Sequence, residues 1–273
     1  PMGNPEKRSR MNPEQHQSVV HHIVDRLLPT AGDVILADAR VGLGYTAVLL
    51  QDGRAGLAFT FRQQAVGGCS VFRRRRPLAG SRIADLLALA TCTDPLEAAI
   101  GLACANALIN SPSESTSEGD VLERLEPRSD DDVAMVGWFG PLIEPLRNRT
   151  RSLTIYEQDT ESHRNSLPAH KAIEGLGHCH IAILTSTCLL NGTADGLLQA
   201  ARGCREVVLL GASTPLLPEV FQPQGVTMLS GVVITDADEV LRVVSEAGGT
   251  RQFSPYVRKV VVPMSRDQTE KAP

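Results

Sequence analysis

The chain reads as an α/β protein: a small α+β unit followed by a larger unit built on a mainly parallel sheet. Three observations carry this reading. The run IAILTSTCLLNGTADGLLQAA (Ile181–Ala201) is an apolar stretch that breaks into small and hydroxyl residues and resumes as a helical pattern. EVVLLGASTPLLPEVF (Glu206–Phe221) repeats that arrangement. Such a junction is how a buried parallel strand feeds a helix through a ligand-facing turn. Thirdly, short apolar runs alternate with helical patterns throughout the second half, which predicts right-handed βαβ units.

The elements follow in chain order. Asn12 and Pro13 suit a helix N-cap and first helical residue. Val19, Ile23 and Leu27, with Val20, Val24 and Leu28, then form one helical stripe. Asp33–Gly42 reads as a strand, and Tyr45–Phe61 as a hairpin turning at Asp52-Gly53. Two helices are predicted next, Gly80–Ala90 and Leu96–Ile109, the second started by Asp94-Pro95. In the second half the predicted strands are Val133–Gly137, Ser152–Glu157, His180–Leu184, Glu206–Gly211, 226–234 and Lys259–Pro263. Helices are predicted between them at Leu142–Arg149, Ala169–Leu176, Ala194–Arg202, Pro215–Phe221 and Ala237–Ala247. The stretch Ser111–Asp132 is rich in Ser, Glu, Asp and Pro and lacks apolar periodicity, the signature of a linker. The expected organisation is a small domain over 12–110, a linker over 111–132 and a second domain over 133–263.

Bulk properties narrow the function. At 273 residues, 42% hydrophobic and 21% charged, the chain is ordinary for a globular protein of about two domains. The net charge of −4 supplies no basic field for nucleic acid or an anionic membrane surface, so neither is an expected partner. No apolar run approaches the ~20 residues of a membrane-spanning helix. Pro1–Arg10 reads as a flexible tail, and the first fifteen residues lack the apolar core of a signal peptide. The cysteines, Cys69, Cys92, Cys104, Cys179, Cys188 and Cys204, are scattered in mostly apolar surroundings without a CxxC pair. Buried reduced thiols in a cytoplasmic protein are the expectation.

Candidate site residues fall at the strand ends. Gly137 and Phe139 lie in VGWFG, where a dinucleotide fold has its glycine loop, although the GxGxxG spacing is absent. The same residues also suit a tight turn with Trp138 and Phe139 packed at an interface. Glu157 ends the next strand, 20 residues beyond Gly137, where an acid can take a ribose hydroxyl pair. Thr185, Asn191 and Thr193 follow the third strand; Thr193 can cap the next helix, leaving the others to face a ligand. Ser213 and Thr214 follow the fourth strand, ahead of a helix start that favours an anion. Asn106, inside an apolar helix, must be paired: it ties down a loop or faces a cleft. Phe72–Pro77 holds four arginines, a solvated loop or a lip attracting an anionic ligand. GHCH (Gly177–His180) invites a metal reading, but strand alternation separates Cys179 from His178 and His180. These three are therefore not expected to form a closed structural metal site. No GxSxG elbow, Walker loop or HExxH is present, which argues against the commonest hydrolases and NTPases.

The runs VAMVGWFGPLI, LTIYEQ, LPAH, AILTSTCLLNGT, VVLLGASTPLLP, LSGVVITD and VSEAGG resemble a two-domain bacterial and archaeal family labelled as heavy-metal chelation proteins. In the first half GLGYTA, RAGLAFT, LAGSRIADLLALA and DPLEAAIGLACANALIN resemble that family's companion domain. The resemblance covers nearly all of 12–263. It implies an enolase N-terminal-like domain, a Rossmann-like domain closing on it, and a site between them. By motif it carries over Asn106, Glu157, Thr185, Asn191, Thr193, Ser213 and Thr214. The chain departs from the family at GHCH, where an acidic residue is more usual.

The resulting expectation is a cytoplasmic protein binding a small molecule or metal chelate in an interdomain cleft. Its cofactor candidates are a metal ion and a nucleotide-type ligand. The alternative is an enzyme using a nucleotide-type cofactor, with Glu157 on a ribose and Thr214 near a phosphate or carboxylate. A third reading is a homodimeric scaffold without chemistry.

Overall fold

The computed structural model describes residues 17–64, 76–111 and 117–264. The expected Asn12-Pro13 cap, the Pro1–Arg10 tail, Cys69 and most of the arginine loop, 72–75, lie outside them.

A three-stranded antiparallel sheet comes first. Its strands are β1 (Leu36–Val41), β2 (Tyr45–Leu50) and β3 (Ala55–Phe59), with Gly53 turning β2 into β3 at φ 87°. Helix α1 (Val19–Ala31), capped by Ser18, precedes it. A short helix α2 (Ile83–Leu87) and the long α3 (Pro95–Ile109) follow. Asp94 caps α3 as expected, accepting from the amides of Leu96 (2.9 Å) and Glu97 (3.2 Å). Small side chains let α3 lie directly on β2 and β3. A Cβ on Gly56 would come within 2.1 Å of the Ala103 carbonyl, so only glycine permits that approach.

The second sheet has eight strands: β4 (Ser117–Glu118), β5 (Asp132–Val136), β6 (Ser152–Glu157), β7 (Leu167–Pro168), β8 (Ile181–Thr185), β9 (Glu206–Leu210), β10 (Met228–Ile234) and β11 (Val257–Pro263). Their order is β4-β11-β10-β9-β8-β5-β6-β7. From β7 to β10 every pairing is parallel, whereas β11 runs antiparallel to β10 and to β4. Helices α4 (Val121–Arg124), α5 (Gly140–Arg147), α6 (Ala172–Leu176), α7 (Ala194–Ala200), α8 (Pro218–Phe221), α9 (Ala237–Ser245) and α10 (Thr250–Phe253) complete the chain.

Alternation along the strands explains the two cores of the large sheet. Ala134, Val136, Ala182, Leu184, Val207 and Leu209 join one buried cluster, with Val133, Met135, Ile181, Ile183 and Val208 in another. Both faces are covered, which is why these strands read as unbroken apolar runs. Within 111–132, expected as a linker, Ser117–Glu118 pair with β11, and Val121 and Leu125 are buried against the large sheet.

The two sheets pack together. Helix α9 covers the small sheet, with Val240, Leu241 and Val244 against Ala47 and Leu57. Tyr45 stands edge-on between Phe59 and Phe253, at ring distances of 5.7 and 5.0 Å. At its start, α1 reaches the large unit: the Val19 amide donates to Asp195 at 2.8 Å.

Candidate functional site

The carboxyl ends of β5, β6 and β8 open into one cleft of about 760 Å³, closed on one side by the residues that follow β3. This volume suits a compact organic molecule. The chemistry of the walls follows from which residue each strand leaves at its end.

After β5 the chain turns at Gly137, whose φ of 97° is a left-handed conformation that favours glycine. Its amide donates to the Tyr156 carbonyl (2.8 Å), and an added Cβ would lie 2.9 Å from Cβ of Thr185. This turn delivers Trp138 and Phe139 to the cleft. Trp138 stacks on His163, with ring centres 4.2 Å apart and planes 13° from parallel. Strand β6 contributes Tyr156, Glu157 and, just beyond, Gln158 and Asp159. Burial holds the Tyr156 phenol above its usual pKa, so it is protonated at neutral pH. The Asp159 carboxyl is held below the usual range, first by its hydrogen bond with the Ser162 side chain, and is ionised. Glu157 accepts from the Gln158 amide at 2.7 Å through one oxygen.

After β8 the chain enters a single 3-10 turn, Ser186–Leu189. Thr185 and Thr187 share a hydroxyl hydrogen bond of 3.0 Å at the cleft wall, and burial pushes the Cys188 thiol up to about 12. Asn191 and Thr193 follow. Sequence suggests Thr193 as a side-chain cap for α7, but its hydroxyl donates instead to Asn191 Oδ1 at 2.6 Å. The opposite wall is Phe59, Thr60, Phe61 and Arg62 from the end of β3, and His170 and Ile173 contribute from the start of the α6 region.

Six of the residues singled out by sequence therefore meet in one place: Gly137, Phe139, Glu157, Thr185, Asn191 and Thr193. Asn106, Ser213 and Thr214 do not line it, which corrects the expectation that they face the cleft. All three are buried where the two sheets meet, at 1%, 1% and 0% exposure. Ser213 Oγ accepts from the Phe59 amide at 2.8 Å, and Asn106 donates to the carbonyls of Leu57 (2.7 Å) and Ser213 (3.1 Å). The Thr214 carbonyl accepts from Asn110 at 2.9 Å. The β9 junction has the same local pattern as β8, but β3 and α3 occupy the space that a ligand would need.

Sequence reasoning missed Phe59, Phe61, Arg62, Tyr156 and Ile173. The aromatic pair closing the hairpin was a usable signal, because aromatics are only 4% of the chain. Ile173, 56% exposed on a short helix, carries none. In GHCH, His180 Nδ1 accepts from the Asp132 amide at 3.0 Å, while Cys179 turns to Cys204. Among the described residues no three His, Cys, Asp or Glu side chains converge to hold a metal ion. Nor, among them, is any helix long and apolar enough to cross a membrane.

The fold and cleft define a two-sheet α/β protein with a candidate small-ligand site at its parallel strand ends. The chain belongs to the DUF364 family, whose model matches residues 120–263 and is described as "Putative heavy-metal chelation". A second family model, with the same description, matches residues 24–109. A DUF364 protein of unknown function from Pyrococcus horikoshii superposes with a TM-score of 0.81 at 22% identity, covering 90% of this chain and all of that one. Another, from Desulfitobacterium hafniense, gives 0.73 at 22%, covering 89% and 98%. An uncharacterized protein of Methanocaldococcus jannaschii is 23% identical over 235 residues, 83% of this chain and 89% of that protein. At these identities the solved structures speak for the fold alone.

Proposed function

We propose that this protein binds a small organic ligand in the cleft, and that the ligand is a metal chelator or its metal complex. The observation that carries the reading is convergence. Side chains from three parallel strand ends and from the end of β3 meet around one volume of about 760 Å³. Chelators combine planar rings with clustered oxygen or nitrogen donors. The cleft offers both counterparts: the aromatic faces of Phe61, Trp138 and Tyr156, and the polar groups of Glu157, Thr187 and Asn191. The family's description as heavy-metal chelation supports the choice of ligand class. In this reading the ligand brings the metal and the protein recognises the ligand.

The test is calorimetric titration with catechol, phenanthroline and an aminocarboxylate, each alone and as its nickel complex. At least one class should bind the wild type. Ile173→Arg, which places a long cation in the cleft, should weaken that binding tenfold or more, a loss of about 1.4 kcal/mol. Failure of the wild type to bind any of them would defeat the proposal.

One observation favours a second reading. Glu157 stands at the cleft at the end of β6, where an acid can take a ribose diol. If the ligand is a nucleotide-type cofactor, adenosine should compete for the cleft and Glu157→Gln should abolish that competition.

A further inference from the structure

Cys179 and Cys204 lie 25 residues apart in sequence, yet their sulfurs are 3.1 Å apart. Cys179 precedes β8 and Cys204 precedes β9, so the pair sits at the amino ends of the parallel strands, away from the carboxyl ends that form the cleft. A third donor faces both. The Leu176 carbonyl oxygen is 3.6 Å from Cys179 Sγ and 3.4 Å from Cys204 Sγ. Two sulfurs and one oxygen thus make a triangle with nearly equal edges. Cys204 is fully buried, whereas Cys179 is half-buried at the edge of the core.

We propose that Cys179 and Cys204, with the Leu176 carbonyl, bind one divalent thiophilic cation. The site uses different atoms from the cleft and stands independently of the reading given above.

Geometry comes first. Thiolates bound tetrahedrally at ~2.3 Å from a zinc-sized ion sit about 3.8 Å apart. The observed 3.1 Å needs to open by less than an ångström. Cys179 can supply that movement, because it lies in the partly exposed loop Gly177–His180. The carbonyl provides a third, neutral donor, and water can fill the fourth position from the exposed side.

Charge decides which ion fits. A buried centre is stable when its net charge is small. Two thiolates neutralise one divalent cation, and the carbonyl adds no charge. The balanced step is M²⁺ plus two thiols giving the bis-thiolate complex and two released protons. Thiolate sulfur prefers soft ions such as zinc, cadmium or mercury over magnesium or calcium.

A disulfide is the competing fate of two close thiols. It needs the sulfurs to close to ~2.05 Å, an external oxidant, and attack by a thiolate. The structure holds the two sulfurs 3.1 Å apart, beyond bonding distance. A bound cation needs no oxidant and brings the positive charge that displaces the protons.

The experiment titrates the full chain, reduced and metal-free, with Cd²⁺. The expected result is a sulfur-to-cadmium charge-transfer band saturating at one ion per chain, with two protons released per ion. Cys179→Ser and Cys204→Ser should each lower the affinity by more than the ~100-fold that loss of an outer-shell partner costs. Cys92→Ser should bind as wild type does. Circular dichroism of each variant establishes that it is folded, and Cys179→Ala serves where the serine variant is not. An unchanged band in a folded variant at either position would overturn the proposal. So would a wild-type chain that takes up no Cd²⁺, or one whose mass shows loss of two hydrogens at this pair under the same conditions.

Discussion

Asn106 in α3 donates from Nδ2 to the carbonyl of Ser213, 3.1 Å away across the boundary between the two sheets. The same amide group donates to Leu57 in β3 at 2.7 Å, so one side chain ties the helix, the small sheet and the end of β9 together. One turn later Asn110 repeats the device. It donates to the Thr214 carbonyl at 2.9 Å and accepts from the Leu216 amide at 3.0 Å.

These amides should therefore govern stability rather than ligand affinity. Asn106→Ala leaves two buried carbonyls without this donor and should cost roughly 2–4 kcal/mol. Asn110→Ala should cost a similar amount. For a chain of this size that is a fall in melting temperature of about 5–10 °C, readable by calorimetry. A variant that melts with the wild type would show that the link carries no net energy.

Two glycines set the shape of the cleft. Gly137→Ala combines a φ of 97° with a contact of 2.9 Å to Thr185, and should destabilise by about 1–3 kcal/mol. Gly175→Ala places a Cβ on the Tyr156 hydroxyl, so that ring, which lines the cleft, must shift. The expected outcome for Gly175→Ala is a larger proportional loss of ligand affinity than of stability, measured by titration and chemical unfolding on the same variant.

Trp138 is the chain's single tryptophan and lines the cleft. Any ligand that enters must change its stacking with His163 or its exposure to water. Intrinsic fluorescence should shift saturably with the calorimetric stoichiometry. His163→Ala should alter the starting emission without removing the titration, and a ligand that binds with no change in emission would place it elsewhere.

Cys104 and Cys188 are fully buried, and burial pushes both thiols up to about 12. Thiolate is the reactive form, so neither should be alkylated in the folded protein at pH 8, while both react in denaturant. Mass mapping of iodoacetamide-labelled peptides checks this. The stability consequence has a definite sign. The folded thiols keep their protons where the unfolded ones, with the ordinary thiol pKa of 9.0, lose them. Stability should be intact below about pH 9 and decline as pH rises toward 12, because the native state then binds more protons. The urea midpoint should fall between pH 8 and pH 10.

The period-2 and period-3.6 patterns specify the longer elements between Val19 and Pro263, because burial on one or both faces leaves a local record in the chain; the short β4, α4, β7 and α10 carry too few residues to show a period. Small and polar residues also interrupt the apolar runs at the β5, β6 and β8 ends, which is where the cleft opens. Strand direction at the edge is a different matter: β11 pairs antiparallel with β10, and an apolar run reads the same in either direction.

Tertiary packing alone separates the two junctions that opened the sequence reading. Thr185–Thr193 and Ser213–Thr214 carry similar residues after similar strands. The first lines the cleft, while the second is sealed by the Phe59 amide and by Asn106. Nothing near Ser213 in sequence records which segment, some 150 residues away, will arrive to cover it. The same holds for Cys179 and Cys204, brought together because β8 and β9 are neighbours in the sheet. Local sequence encodes which surfaces must be buried, whereas the partner that buries them is selected by the whole chain at once.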